Sequence, residues 1–340
     1  MKKLLLLILT SLFPMMTFAD ESGTCGENLS WTYIESTKTL KISGTGEMND
    51  YEWAKTPWFN YRFSITNIDI ESGITSIGNY AFMGFQYLNS VTIPECVVSI
   101  GESAFRGCYS LKDITIPNSV TTLSSGVFRD CTGLTTINIS NNISSIGDGT
   151  FYGCYGLTTI TLPKSLTSIG DGAFANCTSL NTVIVLSSPT LPLYGIGPFD
   201  GCSNIKEVTF DCYKVTALFK GITTLEKVQL SENVTIIEDN AFSGCSGLSS
   251  VELPNSLTSI GSCAFYYCSN LSSISIPSTV QSIGEGAFRY CSSLKSILIP
   301  NSLKAIRNYT FEGCTSLTSL VIPDGVSSIG YLAFGGWLSG

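Results

Sequence analysis

Phenylalanine recurs through most of this chain at a nearly constant interval, at Phe82, Phe105, Phe128, Phe151, Phe174, Phe199, Phe219, Phe242, Phe265, Phe288, Phe311 and Phe334. Nine of the eleven spacings are 23 residues; the other two are 25 and 20. A unit this short cannot close a hydrophobic core alone. Stacked units can, because equivalent apolar residues fall into columns along one axis. The period therefore predicts a solenoid and overrides the usual expectation that 340 residues divide into two globular domains. Twelve rungs at strand spacing would span about 55 Å.

One unit reads Leu88-x-x-Val91-x-Ile93-Pro94-x-x-Val97-x-x-Ile100-Gly101-x-x-Ala104-Phe105-x-Gly107-Cys108. Its Leu-x-x-Val-x-Ile stretch is short, β-branched and alternating at its end, the pattern of a strand. Proline follows in many units, as at Pro117, Pro163, Pro254, Pro277, Pro300 and Pro323. It ends the strand because it cannot donate to a ladder. The Val-x-x-Ile-Gly stretch predicts a second short extended segment on the opposite wall. The Ala-Phe-x-Gly-Cys stretch is expected to form one helical turn. In three units the Ile-Gly pair becomes Leu123-Ser124, Ile237-Glu238 and Ile306-Arg307. Glycine there is favoured without being sterically obligatory.

The chain opens Met1-Lys2-Lys3, continues with an apolar run from Leu4 to Leu9, and reaches Ala19-Asp20 through small and polar residues. A charged start, a short apolar core and a small exit residue predict a secretory signal peptide over residues 1–19. Pro14 interrupts the apolar part, which is too short for a membrane span, and the mature chain is expected to have none. The chain holds 18 basic and 26 acidic residues; without Lys2 and Lys3 the balance is 16 to 26, a net charge of −10. That balance argues against nucleic-acid and anionic-lipid binding, which need a basic footprint. There is no histidine. Its absence removes Ser-His-Asp and Cys-His nucleophile pairs, His-ligated zinc and imidazole acid–base catalysis. No phosphate loop, catalytic serine motif or calcium loop is present. The acidic residues Asp148, Asp171 and Glu285 recur in register after Ile-Gly, which fits solvated turns better than a carboxylate pair. The expectation is a protein without catalysis and without cofactors.

Nine of the thirteen cysteines share one column: Cys108, Cys131, Cys154, Cys177, Cys202, Cys245, Cys268, Cys291 and Cys314. Three units place Phe85, Ile222 and Trp337 there, so the position is read first as an apolar packing site holding free thiols. Disulfides remain an alternative in an exported protein, although in-register side chains suit the S–S dihedral poorly. Metal binding is a third, weakened because a linear thiol ladder offers no tetrahedral cage.

The Ile276-Pro277 to Cys291 pattern, with Cys25-Gly26-Glu27-Asn28-Leu29 and Leu40-Lys41-Ile42-Ser43-Gly44-Thr45-Gly46 near the start, resembles the BspA-like leucine-rich-repeat proteins of bacterial surfaces. The resemblance spans nearly the whole mature chain. It implies a right-handed superhelix of parallel strands, a secreted or cell-surface location, and binding of host or other extracellular proteins, with no catalytic residues to carry over. The expected organisation is a signal peptide over 1–19, an N-terminal β/aromatic capping module over 20–65, and a leucine-rich-repeat solenoid of about twelve rungs with short helical turns over 66–340. Trp31-Thr32-Tyr33-Ile34 and Thr39-Leu40-Lys41-Ile42 read as strands of the module. Tyr51, Trp53, Trp58, Phe59 and Tyr61 read as its cover over the first rung, or as a platform for sugar or protein. At the other end Trp337-Leu338-Ser339-Gly340 reads as a short self-capped end or a truncation.

Between 183 and 230 the repeat becomes irregular. Ser187-Ser188-Pro189-Thr190-Leu191-Pro192 is inserted in one unit, and the next is shortened. Outward strand positions are mostly Ser and Thr, with charge at Lys112, Asp113, Lys206, Glu207, Glu226, Lys227, Glu252 and Lys295. These eight residues and Tyr194 in the inserted loop are the expected contacts for extracellular or host proteins, with glycans as a second ligand class. For each of them a merely solvated surface is the competing reading. A structural, self-assembling surface component is the alternative function.

Overall fold

The computed structural model describes residues 20–192 and 195–336. The expected signal peptide, Leu193, Tyr194 and the last four residues, with Trp337, lie outside this description. Among the described residues no helix is long and apolar enough to cross a membrane.

The fold begins with three antiparallel strands, β1 (Glu21–Gly26), β2 (Leu29–Ile34) and β3 (Thr39–Gly44). The third pairs in parallel with Asn67–Ile70, and Ser90–Thr92 follows it. From there about eleven turns of about 23 residues climb as a parallel β-solenoid. One wall, here the front, carries the Leu-x-x-Ile-x-Ile strands. In Thr159–Leu162 the side chains of Ile160 and Leu162 are buried while Thr159 and Thr161 face out. The pleat therefore sorts apolar from polar residues two by two.

The insertion and the deletion do not disturb this wall. Thr159 pairs with Thr182 across 23 residues, Thr182 with Glu207 across 25, Glu207 with Lys227 across 20, and Lys227 with Ser250 across 23. A one-residue slip would turn every apolar side chain to solvent, so the changes in length are displaced into the connections.

The opposite, back wall is built from two-residue strands such as Ser145–Ile146 and Ser168–Ile169. After each isoleucine the glycine N–H donates to the preceding turn, as Gly170 does to Ile146 O at 2.8 Å. The approach is tight: a Cβ on Gly170 would sit 2.6 Å from the Asp148 nitrogen, and one on Gly284 2.3 Å from that of Ser262. Where the glycine is replaced, the wall responds. Ser124 and Arg307 make no such bond; the Ser124 hydroxyl donates to Ile100 O instead, at 2.8 Å. Glu238 keeps its bond to Val215 O, at 2.9 Å, beside the shortened unit. Glycine is dispensable at these three positions, as expected, at the cost of the ladder bond at two of them.

The Ala-Phe-x-Gly-Cys segment is not the expected helical turn. Every second N–H points along the solenoid axis: Ser103 to Ser125 O, Phe105 to Val127 O and Gly107 to Arg129 O, at 2.8–3.0 Å. The intervening N–H groups close local turns, as Cys108 to Phe105 O at 3.2 Å. This alternation requires left-handed backbone twice per turn, at Ser103 (φ 52°) and Gly107 (φ 73°), which a helix excludes. Only Phe59–Tyr61 and Ala217–Phe219 are short 3₁₀ turns among the described residues.

Phenylalanines stack along the axis at 4.9–5.7 Å between centroids from Phe82 to Phe219 and again from Phe242 to Phe334. Trp58, fully buried, extends this column below Phe82 at 5.8 Å and donates its indole N–H to Ala81 O at 2.8 Å. Of the aromatic segment 51–61, Trp53 alone is strongly exposed, at 66%. The cysteine column runs beside the phenylalanines. Each thiol donates to the carbonyl of the preceding turn's phenylalanine, as Cys131 to Phe105 O at 3.1 Å and Cys154 to Phe128 O at 3.2 Å. That carbonyl also accepts the cysteine N–H of its own turn. Cysteine here is a small apolar filler that also satisfies a second lone pair.

Candidate functional site

The acidic residues after Ile-Gly are tied into the turns. Asp148 Oδ1 accepts the Asp171 N–H at 2.9 Å, and Asp239 Oδ1 accepts that of Ser262 at 2.6 Å. No cluster of His, Cys, Asp and Glu among the described residues could hold a metal ion. The thiols are free and mostly buried. Burial pushes Cys245 and Cys314 up to about 12, so the thiolate form that chemistry needs is suppressed.

The structure spreads the sequence-predicted contacts along the front wall. Lys112 and Asp113 are exposed at the start of Asp113–Thr115 and form no ion pair among the described residues. Four strands further on, Lys206, Glu207, Glu226 and Lys227 come together on the adjacent strands Glu207–Phe210 and Lys227–Leu230. Lys206 pairs with Glu226 at 3.0 Å and Lys227 with Glu207 at 3.8 Å. This quartet cancels its own charge across the ladder. All four side chains are half exposed, and such pairs contribute little to stability. Glu252 lines a shallow front-wall groove of about 740 Å³ with Leu253, Ser275 and Leu298. Lys295 is exposed just before Ser296–Leu298. Tyr194 lies outside the described residues.

Sequence reasoning missed a third surface, the turn edge. Here the residue after the column phenylalanine is partly exposed in many turns, and its identity varies: Arg106, Arg129, Tyr152, Tyr266, Arg289, Glu312. In the C-terminal half these side chains gather. The Arg289 guanidinium lies 4.9 Å from the Tyr290 ring centre, 4.8 Å from Tyr309 and 6.0 Å from Tyr266, and it is ion-paired with Glu312. It also donates to the Tyr290 hydroxyl at 3.3 Å. Tyr267 packs against Tyr266 and Tyr290, both at 4.8 Å, and is 49% exposed. Burial, then the neighbouring Tyr267, push the Tyr266 phenol up. A smaller counterpart, Arg129 over Tyr152 at 4.4 Å with Asp130 alongside, sits nearer the N-terminus.

The backbone beneath this cluster is left-handed at three tyrosines. Tyr267 (φ 58°) and Tyr290 (φ 61°) occupy a left-handed position that other turns fill with glycine, as at Gly107, Gly153, Gly244 and Gly313, or with Asp130 and Asn176; Tyr309 (φ 57°) occupies a second, which Gly126, Gly149 and Gly172 share with Tyr80, Ser103, Asn240 and Cys263. A bulky residue there is strained by about 1–2 kcal/mol relative to glycine. Strain of this kind concentrates where a side chain is held for use. The available signal was Tyr267 and Tyr290 standing in a column otherwise held by Gly, Asp130 and Asn176, visible only once that column is known to need positive φ.

The BspA type leucine-rich-repeat model matches residues 55–181, 128–218 and 214–338. A leucine-rich-repeat protein from Bacteroides ovatus is similar at 29% identity and a TM-score of 0.60, covering 92% of this chain and 79% of that one. A leucine-rich-repeat protein from Eubacterium ventriosum shares 23% identity over 94% of this chain and 95% of its own, with a TM-score of 0.40. A T. pallidum leucine-rich-repeat protein shares 29% identity over 55% and 77%, with a TM-score of 0.39. No curated protein matches the chain. With matches that run over most of its length and the stacked 23-residue turns they describe, the chain belongs to the BspA type leucine-rich-repeat family.

Proposed function

We propose that this protein is exported and binds an extracellular or host protein through the turn edge centred on Arg289, without catalysis. The observation that carries this reading is a tyrosine cluster about one arginine: Tyr290 and Tyr309, both in left-handed backbone, face Arg289, and Tyr267, also left-handed, packs against Tyr290. Tyrosine offers large contact area at low conformational cost, and tyrosine and arginine dominate binding hot spots. Ser292, Ser293 and Asn308 stand beside these residues in the chain and add polar surface of the kind binding sites use. The Lys2-Lys3 start, the Leu4 to Leu9 run and the Ala19 exit support export. The net charge favours a protein partner over nucleic acid.

The test is a binding screen of the purified protein against extracellular-matrix and host-surface proteins, repeated with Tyr267→Gly and Arg289→Gln. Saturable binding that both substitutions weaken at least tenfold, with no loss of melting temperature, is the expected result. Absence of any saturable partner, or binding indifferent to both substitutions, overturns the reading.

A further inference from the structure

The back wall opens where the repeat is irregular. Its ladder runs through Ser145–Ile146 and Ser168–Ile169 to a single bridge between Ser168 and Thr190, and resumes at Lys214–Val215. Between Thr190 and Lys214 no back-wall ladder pairing forms among the described residues. The cause lies in the residues at the step. Pro189 and Pro192 flank Thr190-Leu191 and have no N–H to give. Thr216 stands after Val215 in the column where other turns place glycine. The bond from Gly170 N–H to Ile146 O has no counterpart from Thr216 to Leu191 among the described residues.

Two edges therefore face each other. Thr190 spends both backbone groups on the preceding turn, donating to Thr167 O at 2.8 Å and accepting from Ile169 N–H at 3.3 Å. In a parallel strand alternate residues address opposite neighbours, so Leu191 addresses the gap. On the far side Lys214 addresses it too, and a side chain takes up its backbone: Ser188 donates its hydroxyl to Lys214 O at 2.7 Å and accepts the Lys214 N–H at 3.0 Å. Two residues on, that substitution ends. Thr216 is 6% exposed, and its Oγ1 is buried without a hydrogen-bond partner among the described residues. A groove of about 650 Å³ opens at this point, lined among others by Thr190, Leu191, Thr216, Ile236 and Glu238. The hollows beside Arg307, where one ladder bond is missing, are about 320 and 280 Å³.

We infer that this groove is a docking slot for an extended peptide segment of a partner protein that carries a basic side chain. An unsatisfied hydroxyl and facing strand edges are features that a peptide backbone completes, and adding a strand to an open edge is a general mode of peptide recognition. Leu191 and Ile236 take apolar side chains. The charge at the rim selects the basic one: Lys214 is paired with Glu238 at 3.3 Å, which leaves Asp239 in excess. The slot lies on the back wall and is independent of the tyrosine edge.

The test uses the full chain immobilised and a pool of acetylated, amidated heptapeptides with Lys or Arg fixed at the centre and Val, Ile, Thr or Ser elsewhere. A matched pool with central Glu is the control. Retention of the basic pool over the control is expected, with about tenfold weaker binding for Thr216→Val, which removes the hydroxyl at nearly constant shape, and for Glu238→Gln. Tyr267→Gly is expected to bind the peptides normally, so failure at the tyrosine edge and failure here are told apart. If either groove variant is misfolded by circular dichroism, backbone exchange of the wild-type protein replaces it; the retained peptides should slow exchange in residues 188–191 and 214–217. Equal retention of both pools, indifference of a folded Thr216→Val variant, or unchanged exchange overturns the inference.

Discussion

Phe210 meets Phe242 edge-on, with ring centres 6.0 Å apart and planes at 82°, and meets Phe219 in the same way at 5.7 Å and 85°. It is a front-wall residue, the last of Glu207–Phe210, wedged where the phenylalanine stack would otherwise run from Phe219 to Phe242. The shortened unit brings it there. One ring thus couples the two halves of the stack. Phe210→Ala is expected to cost about 3–5 kcal/mol and to separate the unfolding of the halves, seen as a second transition in urea. A single cooperative transition at unchanged midpoint would contradict this coupling.

Stability should fall on the alkaline side. Burial raises the column thiols Cys245 and Cys314 to about 12, and Cys25 in the N-terminal strands to about 11, from an ordinary value of 9.0. The unfolded chain releases these protons first, so the folded state binds more of them between the two values. The stabilisation is complete below pH 9 and is lost as pH rises from about 9 toward 12. Urea midpoints at pH 7 and pH 10 should show the decline, and a Cys245→Ala, Cys314→Ala double variant should show a shallower one.

Tyr267→Gly relieves left-handed strain at a side chain that is half exposed. The variant is expected to be as stable as the parent or more stable by up to about 1 kcal/mol, because relieved strain exceeds the entropy glycine loses on folding. Thermal unfolding checks this. A loss of several degrees would mean that the tyrosine is structural.

Gly170→Ala places a Cβ 2.6 Å from the backbone nitrogen of Asp148. The turns must separate and the bond to Ile146 O must stretch, with an expected cost of about 1–3 kcal/mol. Faster hydrogen exchange at residue 170 and a lower urea midpoint are the readouts.

Exchanging Lys206 and Glu226 tests whether the front-wall quartet is a contact or only a self-neutralising pair. Lys206→Glu alone should cost about 0.5–1 kcal/mol, and Glu226→Lys added to it should recover most of that, as cross-strand pairs do. Recovery of stability without recovery of partner binding would place these residues in the binding surface.

Composition and period were enough for the walls, the columns and their occupants. Phenylalanine and cysteine fall where a 23-residue stack must bury them, and Ser and Thr fall where strands face water. The turn edge was harder to read. Tyr267 and Tyr290 share one column while Tyr266 and Tyr309 stand in two others, and the gathering of these rings beside Arg289 depends on rotamers and on left-handed backbone that no linear pattern displays. The helical turn was misjudged for a related reason. A run of five residues ending in Gly-Cys satisfies local helical preferences, while the N–H groups of Phe105 and Gly107 are claimed by the next turn.

The sequence by itself determined that this chain stacks, because no 23-residue unit can bury Leu, Ile and Phe without an identical neighbour. The tertiary structure alone decided where the stack departs from itself. The insertion before Phe199 and the deletion after it cancel on the front wall, where slippage would expose every core residue, and accumulate on the back wall, where two-residue strands have little register to defend. Ser188 and Thr216 acquire their places from that imbalance and from nothing in their own neighbourhood of the chain.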